Sequence, residues 1–393
     1  MKFKGIVLTG TSAAGKSSIE KNLCMNNNIY CKVRSVTTRA QRADDKPGDY
    51  DYISKQQFNT LRNNNKLLIE AEYRDEKYGI RTEDFDSVTD GGKVPILVIT
   101  PKSVEYIELN HIDISSSLMS FFIDAPDSLL NDRLNNRDGV GTAENVNVMK
   151  QRNEDRTYTK YCLYELKNYI IDKTTELIRS IWEQQNSGGV LSKRIIKLMI
   201  ECGLLLEHAD INKVKSASYD LSLGDEYYYR GKIHTLSNKE PFMEIEPYDY
   251  VIASCKETAY MPRDITGRFG VTVNLFCQGI IMSNGPQVDP GFIGKLFCLL
   301  FNTSNKTVVI KREDHYATLE FHKLLELTEP YAGKYQGKNS IVDYIPSNAL
   351  YGGINELKKE IEQLKNGNKY TQNVFLGIIS LILAVLSVIL VFK

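Results

Sequence analysis

The chain has 393 residues, 42% hydrophobic and 25% charged, which suits a globular protein of two domains with short extras. Its 49 basic and 49 acidic residues cancel, so no global field recruits nucleic acid and no nucleic-acid partner is expected. The seven cysteines, odd in number and scattered, make no disulfide framework, and the five histidines show no metal-ligand spacing with them. The H-x-E…P-C-x-x-C pattern of zinc-dependent base deamination is missing.

The first element is a short apolar run, "KGIVL", suited to a buried strand, which leads into "LTGTSAAGKSSIE" at residues 8 to 20. Gly10, Gly15, Lys16 and Ser17 stand on the fixed positions of the phosphate-loop template, with Thr11, Ser12, Ala13 and Ala14 between them and Ser18 after. A plain glycine turn into a helix is the alternative, but the strand–loop–helix context favours the cradle. Backbone N–H groups there attract anionic oxygens. Lys16 is expected to reach the β- and γ-phosphates of ATP, and the Ser17 hydroxyl to help hold Mg²⁺.

Next comes "SVTTRAQRADDKPGDYDYIS", residues 35 to 54. Arg39 and Arg42 carry guanidinium forks that suit bidentate phosphate binding, and Tyr50 adds a hydroxyl donor. On its own this stretch equally suits a solvated charged loop. The segment resembles the acceptor-binding signature of guanylate kinases, S-x-T-T-R-x-x-R…G-x-D-Y. "LIEAEYRDEKYG" is similar to that family's next element, and "FFIDAPDSLLNDRLNNRD" to the strand leading into its arginine-bearing lid.

The resemblance spans residues 1 to 184 and implies phosphorylation of a nucleoside monophosphate, GMP or dGMP, by ATP with Mg²⁺. By it, Ser35, Arg39, Arg42, Tyr50 and Tyr78 hold the acceptor, and Glu70 accepts from the guanine edge. Lys16, Arg39, Arg133, Arg137 and Arg152 supply charge for transfer. The chain departs from the family's pattern at Ile80, where threonine is usual, and at Val98 and Thr100, where aspartates are usual.

A polar, glycine-containing stretch, "EQQNSGGV" at 183 to 190, reads as a linker. Beyond it an amphipathic helix pattern gives way to short alternating stretches broken by turns, the signature of a β-barrel or sandwich over residues 188 to 340. "SYDLSLGDE", "QVDPGFIG" and "EPYAGKYQGK" resemble motifs of the dCTP deaminase and trimeric dUTPase superfamily. That resemblance implies a homotrimer and a deoxynucleotide site with Asp289, Tyr331 and Lys334. Leu299 stands where the deaminases carry their general-base glutamate, and "VTVN" (271 to 274) replaces the triphosphate-binding segment without a cation. Deaminase activity is therefore not expected.

The last elements are an amphipathic stalk at 354 to 366 and an uncharged run at 374 to 392. Nineteen such residues are long enough for a membrane helix. The chain is expected to be a single-pass, tail-anchored membrane protein with its domains in the cytoplasm. The whole reads as an α/β P-loop nucleoside monophosphate kinase domain, an all-β dUTPase/dCTP deaminase-like barrel, and a C-terminal transmembrane helix. The alternatives are a membrane-tethered nucleotide sensor, a protein-binding scaffold, or a bifunctional kinase with dCTP deaminase or dUTPase activity.

Overall fold

A computed structural model describes residues 3–25, 29–41, 50–73, 75–138, 146–283, 287–345, 361–367 and 372–381. Nine strands build the first half: β1 (Gly5–Gly10), β2 (Tyr30–Lys32), β3 (Ser35–Thr37), β4 (Tyr50–Tyr52), β5 (Leu67–Tyr73), β6 (Glu76–Arg81), β7 (Val94–Val98), β8 (Leu118–Asp124) and β9 (Tyr164–Lys167). Its helices are α1 (Lys16–Met25), α2 (Lys55–Asn63), α3 (Thr82–Asp90), α4 (Pro101–Asn110), α5 (Ile112–Ser116), α6 (Asp127–Asp138), α7 (Val146–Arg156) and α8 (Ile171–Glu183).

Strands β2, β7, β1, β8 and β9 lie side by side in that order, all parallel. Every residue of β1 and β8 is buried, as expected where helices cover both faces of a parallel sheet. The loop after β1 thus opens at the carboxyl edge of the central strand, the usual ligand crevice of such sheets. A second sheet, in the order β4-β3-β6-β5, forms the wall opposite that edge.

The second half is antiparallel. Its strands are β10 (Gly189–Val190), β11 (Leu205–Glu207), β12 (Ser218–Tyr229), β13 (Lys232–Thr235), β14 (Phe242–Ile245), β15 (Tyr250–Tyr260), β16 (Ile265–Val271), β17 (Ile280–Met282), β18 (Ile293–Asn302), β19 (Val308–Lys311) and β20 (His315–Lys323). Helix α9 (Lys193–Glu201) precedes the long strands, and α10 (Val273–Cys277) follows β16. Nine of these strands form one sheet, and β14 pairs with β19. The inward faces carry Tyr219, Leu221, Ala253, Cys255, Leu300, Tyr316 and Phe321, all at most 0% exposed.

The polar stretch at 183 to 190, expected as a linker, leaves α8 through a turn at 184–186 and enters β10 at Gly189. Helix α8 buries Leu177, Ile178, Ile181 and Trp182, and α9 buries Ile195, Ile196, Leu198 and Met199. These residues belong to one continuous apolar core that also takes in Leu8 and Leu221, so the halves are fused across a packed seam.

The expected membrane anchor is not supported. Among the described residues no helix is long and apolar enough to cross a membrane. The described part of that tail is helical only over 372–381, which spans ~15 Å against a hydrocarbon thickness of ~30 Å. An uncharged run fixes apolarity, whereas a span also needs one unbroken helix of sufficient length. The single-pass, tail-anchored placement with cytoplasmic domains falls with it. Residues 382–392 of that tail, and residues 354–360 of the stalk, lie outside the described residues, while 361–367 are helical.

Candidate functional site

The phosphate loop takes its shape from backbone that only small residues tolerate. Gly10 has φ +136°, and a Cβ there would sit 1.9 Å from the Ile123 carbonyl oxygen. Gly15 has φ +93°, and its Cβ would meet Asn168 Nδ2 at 2.6 Å. Asn168 Nδ2 donates to the Ala14 carbonyl at 2.7 Å, and Arg133 reaches the same carbonyl at 3.4 Å. Lys16 Nζ donates to the carbonyls of Gly10 at 2.8 Å and Thr11 at 2.7 Å, folding back over its own loop. Ser17 and Ser18 are exposed on the first turn of α1.

Behind the loop lies Asp124, at the end of β8 and 2% exposed. It accepts from Thr11 Oγ1 at 2.8 Å, from Arg156 Nε at 3.1 Å and from Lys167 Nζ at 3.1 Å. Burial pushes its carboxyl up, but the Lys167 ammonium and the bonds from Arg156 and Thr11 outweigh that and hold it below the ordinary range. Hydrogen bonding to Asp127, joined by Asp124, outweighs burial, which disfavours the charge, and raises the Arg156 pKa.

The loop opens into a cavity of about 290 Å³. Gly10, Ser12 and Lys16 line one side of it, and Ser35, Arg39, Tyr50 and Tyr78 the other. Arg39 is 9% exposed, with its guanidinium 4.8 Å from the Tyr50 ring centroid and one nitrogen donating to the Ala40 carbonyl at 3.0 Å. Tyr50 and Tyr78 meet edge to face at 6.3 Å. The cavity's far end is made by Ile69, Ile80, Val98, Ile99, Thr100 and Ser103. There the Thr100 and Ser103 hydroxyls share a 2.8 Å hydrogen bond.

Glu70 is not among the lining residues. It accepts from Arg62 Nε at 2.6 Å and from Tyr106 at 3.5 Å. Arg152, on α7, is 1% exposed and donates to Asn131 at 2.5 Å, while its Nε and second terminal nitrogen have no partner among the described residues. Burial lowers its pKa, as it does for Arg133. Such an orphaned guanidinium is the donor set an incoming anion would satisfy. Arg42 lies outside the described residues, as does the side chain of Arg137 on α6.

Sequence reasoning passed over Asp124, Arg156, Lys167 and Asn168. The available signal was a polar residue directly after an apolar strand, in "FFID" and "YELKN", since those positions reach the ligand edge of a parallel sheet.

The second half holds a separate cavity of about 300 Å³, lined by Asp289 and Lys295 among the aromatic rings of Phe269, Phe292, Phe297, Tyr331, Tyr335 and Tyr344. The segment after β20 folds across it: Tyr331 N donates to the Pro290 carbonyl at 2.8 Å, and Gly337 N to the Ile293 carbonyl at 2.8 Å. Lys334 is not among the lining residues; its ammonium lies 4.8 Å over the Tyr335 ring. Leu299 is half-buried on β18 opposite Ile252, also away from this lining. The "VTVN" segment ends β16 and begins α10, with Val273 78% exposed.

Comparison with known proteins divides the chain as its parallel and antiparallel halves do. The guanylate kinase family model matches residues 2–185, and the dCTP deaminase-like model matches residues 190–324. A dCTP deaminase of Pyrococcus abyssi is 31% identical over 140 residues, 35% of this chain and 90% of that protein. The chain belongs to the dCTP deaminase family. A "dCTP deaminase, dUMP-forming" of Aquifex aeolicus is 28% identical over 166 residues, 39% of this chain and 92% of that protein. To this deaminase-family domain the chain joins a guanylate kinase-like one. There a guanylate kinase of the Aster yellows witches'-broom phytoplasma is 26% identical over 182 residues, 45% of this chain and 84% of that protein.

Proposed function

We propose that the guanylate kinase-like domain transfers the γ-phosphoryl group of ATP to a nucleoside monophosphate, GMP or dGMP. The observation that carries this is the single cavity joining Lys16 and Ser12 of the phosphate loop to Ser35, Arg39, Tyr50 and Tyr78. Phosphoryl transfer asks little covalent chemistry of the protein and much positioning and charge neutralisation. In this reading the loop amides and Lys16 take the donor phosphates, and Arg39 with the two tyrosines grips the acceptor phosphate. Arg133, Arg137 and the orphaned Arg152 meet the charge spread over the transferred group.

The residues fit an ATP–Mg²⁺ complex, since Gly10 and Gly15 hold the loop in positive-φ backbone where a Cβ would strike the Ile123 carbonyl oxygen and Asn168 Nδ2, and Ser17 is exposed on the first turn of α1. Ser17 would hold the ion, and Mg²⁺ bound there would supply charge neutralisation for the transferred phosphoryl group. Among the described residues no cluster of three histidine, cysteine or acidic side chains could hold a metal by itself.

The deaminase-family domain, in the same proposal, binds a deoxynucleotide without deaminating it. Its aromatic cavity offers stacking faces beside Asp289, and Leu299 cannot take a proton from water. Assembly as a homotrimer through this domain is part of the proposal; α10 presents Val273 and Phe276, 78% and 67% exposed, as contact surface.

The test is a panel of GMP, dGMP, AMP, dCMP, dTMP and UMP with ATP and Mg²⁺ on the full chain, scored for diphosphate product. GDP or dGDP should form fastest. Product with another base first would overturn the guanine assignment, and no product with any would overturn the kinase.

A further inference from the structure

A chain of polar contacts leaves the phosphate loop and ends in the other domain. Thr11 Oγ1 donates to Asp124 Oδ1 at 2.8 Å, and Lys167 Nζ donates to Asp124 Oδ2 at 3.1 Å. The same ammonium donates to Glu165 Oε1 at 2.7 Å. The second oxygen of Glu165 is taken by the Tyr260 hydroxyl at 2.6 Å, and Tyr260 is the last residue of β15 in the deaminase-family domain.

Backbone contacts hold the lysine from the same side. Lys167 N donates to the Cys202 carbonyl at 2.8 Å, and its stem lies so close to Gly203 that a Cβ there would come 2.7 Å from Lys167 Cγ. Strand β9, which bears Glu165 and Lys167, is the edge of the parallel sheet, and the second domain covers it.

Charge accounting gives Tyr260 a specific task. Asp124 and Glu165 share one ammonium, and both carboxylates raise the Lys167 pKa against the opposing pull of burial. A hydroxyl on the far oxygen of Glu165 satisfies that carboxylate without drawing Lys167 away from Asp124. Remove it, and Glu165 has one donor fewer and competes harder for the lysine. Asp124 then loosens, and with it Thr11, whose backbone forms part of the loop. Lysine's four-carbon stem has no rigidity of its own, so its ammonium stays where its partners put it.

We propose that Tyr260 is a positioning residue for the phosphate loop, so that the deaminase-family domain completes the donor-nucleotide site of the kinase-like domain. This rests on the kinase reading above. Pre-organising a binding loop lowers the ordering cost of the ligand's arrival, so the effect should fall on ATP and spare the acceptor.

The experiment uses the full chain and reads both ATP binding by calorimetry and steady-state transfer. Tyr260→Phe should raise the Kd and KM for ATP by ~3- to 10-fold, leaving the KM for the monophosphate within about twofold. Tyr164→Phe is the control: its hydroxyl donates to Asp264 at 2.5 Å across the same seam but does not touch Asp124. That variant should lower thermal stability and leave ATP affinity unchanged. Lys167→Ala should itself weaken ATP binding, and Tyr260→Phe added to it should cost nothing more.

An unchanged ATP affinity in Tyr260→Phe overturns the inference. So does an equal loss in Tyr164→Phe, or a Tyr260→Phe effect that persists in the Lys167→Ala background. A wild-type chain that binds ATP but forms no product would fail the kinase reading alone, and the binding comparison would still decide on Tyr260. A wild-type chain that binds no ATP would overturn both.

Discussion

The two halves of this chain retain different things. The kinase-like half keeps Gly10, Lys16 and Arg39 around one cavity, with Gly15 shaping the same loop and two Arg152 nitrogens on α7 unpartnered among the described residues. The deaminase-family half keeps a buried antiparallel core and an aromatic cavity, yet carries Leu299 where the resemblance to the deaminases would place their general-base glutamate. A packed core survives any apolar exchange of suitable volume, whereas a catalytic site fails with one lost proton acceptor. In the proposed function, fold and chemistry come apart in the second half and stay together in the first.

The sharpest way to break this contrast is at the phosphates. Lys16→Ala and Arg39→Ala should each cost ~10²-fold or more in transfer rate, because each removes a charge aimed at a phosphate. Steady-state rates with unchanged circular dichroism check this, and wild-type turnover in both would erase the functional half of the comparison.

Next in size is Asp124→Asn. It leaves Arg156 and Lys167 without their shared carboxylate, and since their side chains are 28% and 33% exposed the penalty stays below that of a fully buried pair. We expect a loss of ~1–3 kcal/mol in urea denaturation, together with weaker ATP binding. The sign with pH follows from the depressed carboxyl. Its stabilisation is complete above the unfolded value of ~3.9 and is lost as pH falls through the lower folded value. Wild-type stability should fall below about pH 4, and the Asn variant should show a flatter profile there.

Smaller still is Tyr164→Phe at the seam, expected at ~1 kcal/mol in denaturation midpoint because one charged hydrogen bond is lost without a cavity. If the halves unfolded independently, the variant would shift only one of two transitions. The shared core predicts a single transition that moves as a whole.

The smallest effect is predicted for Leu299→Glu. Restoring a carboxylate on β18 should produce no measurable ammonia from dCTP, because "VTVN" still brings no cation to the triphosphate. Ammonia release in that variant would show that a single exchange separates the two halves.

Much of the first site was legible because its grammar is local. Gly10 and Gly15 announce left-handed backbone, and residues 35 to 50 carry their phosphate chemistry in a short run. The support beneath it was not legible. Asp124 meets Thr11 across 113 positions and Glu165 meets Tyr260 across 95, and nothing in the intervening sequence encodes those pairings. Glu70 shows the same limit: its acidity is visible in sequence, but its bond to Arg62 arises only when α2 lies beside β5. The tail failed differently, since the uncharged run at 374 to 392 was plain and the extent of its helix was not.

One reaction mixture tests the central contrast most directly. The full chain is given ATP, Mg²⁺, GMP and dCTP together, and the nucleotides are separated over time. The account predicts that GDP and ADP accumulate in step while dCTP persists and neither dUTP nor dUMP appears. Formation of dUTP or dUMP with no GDP would contradict it, because the half proposed to be inactive would then be the active one.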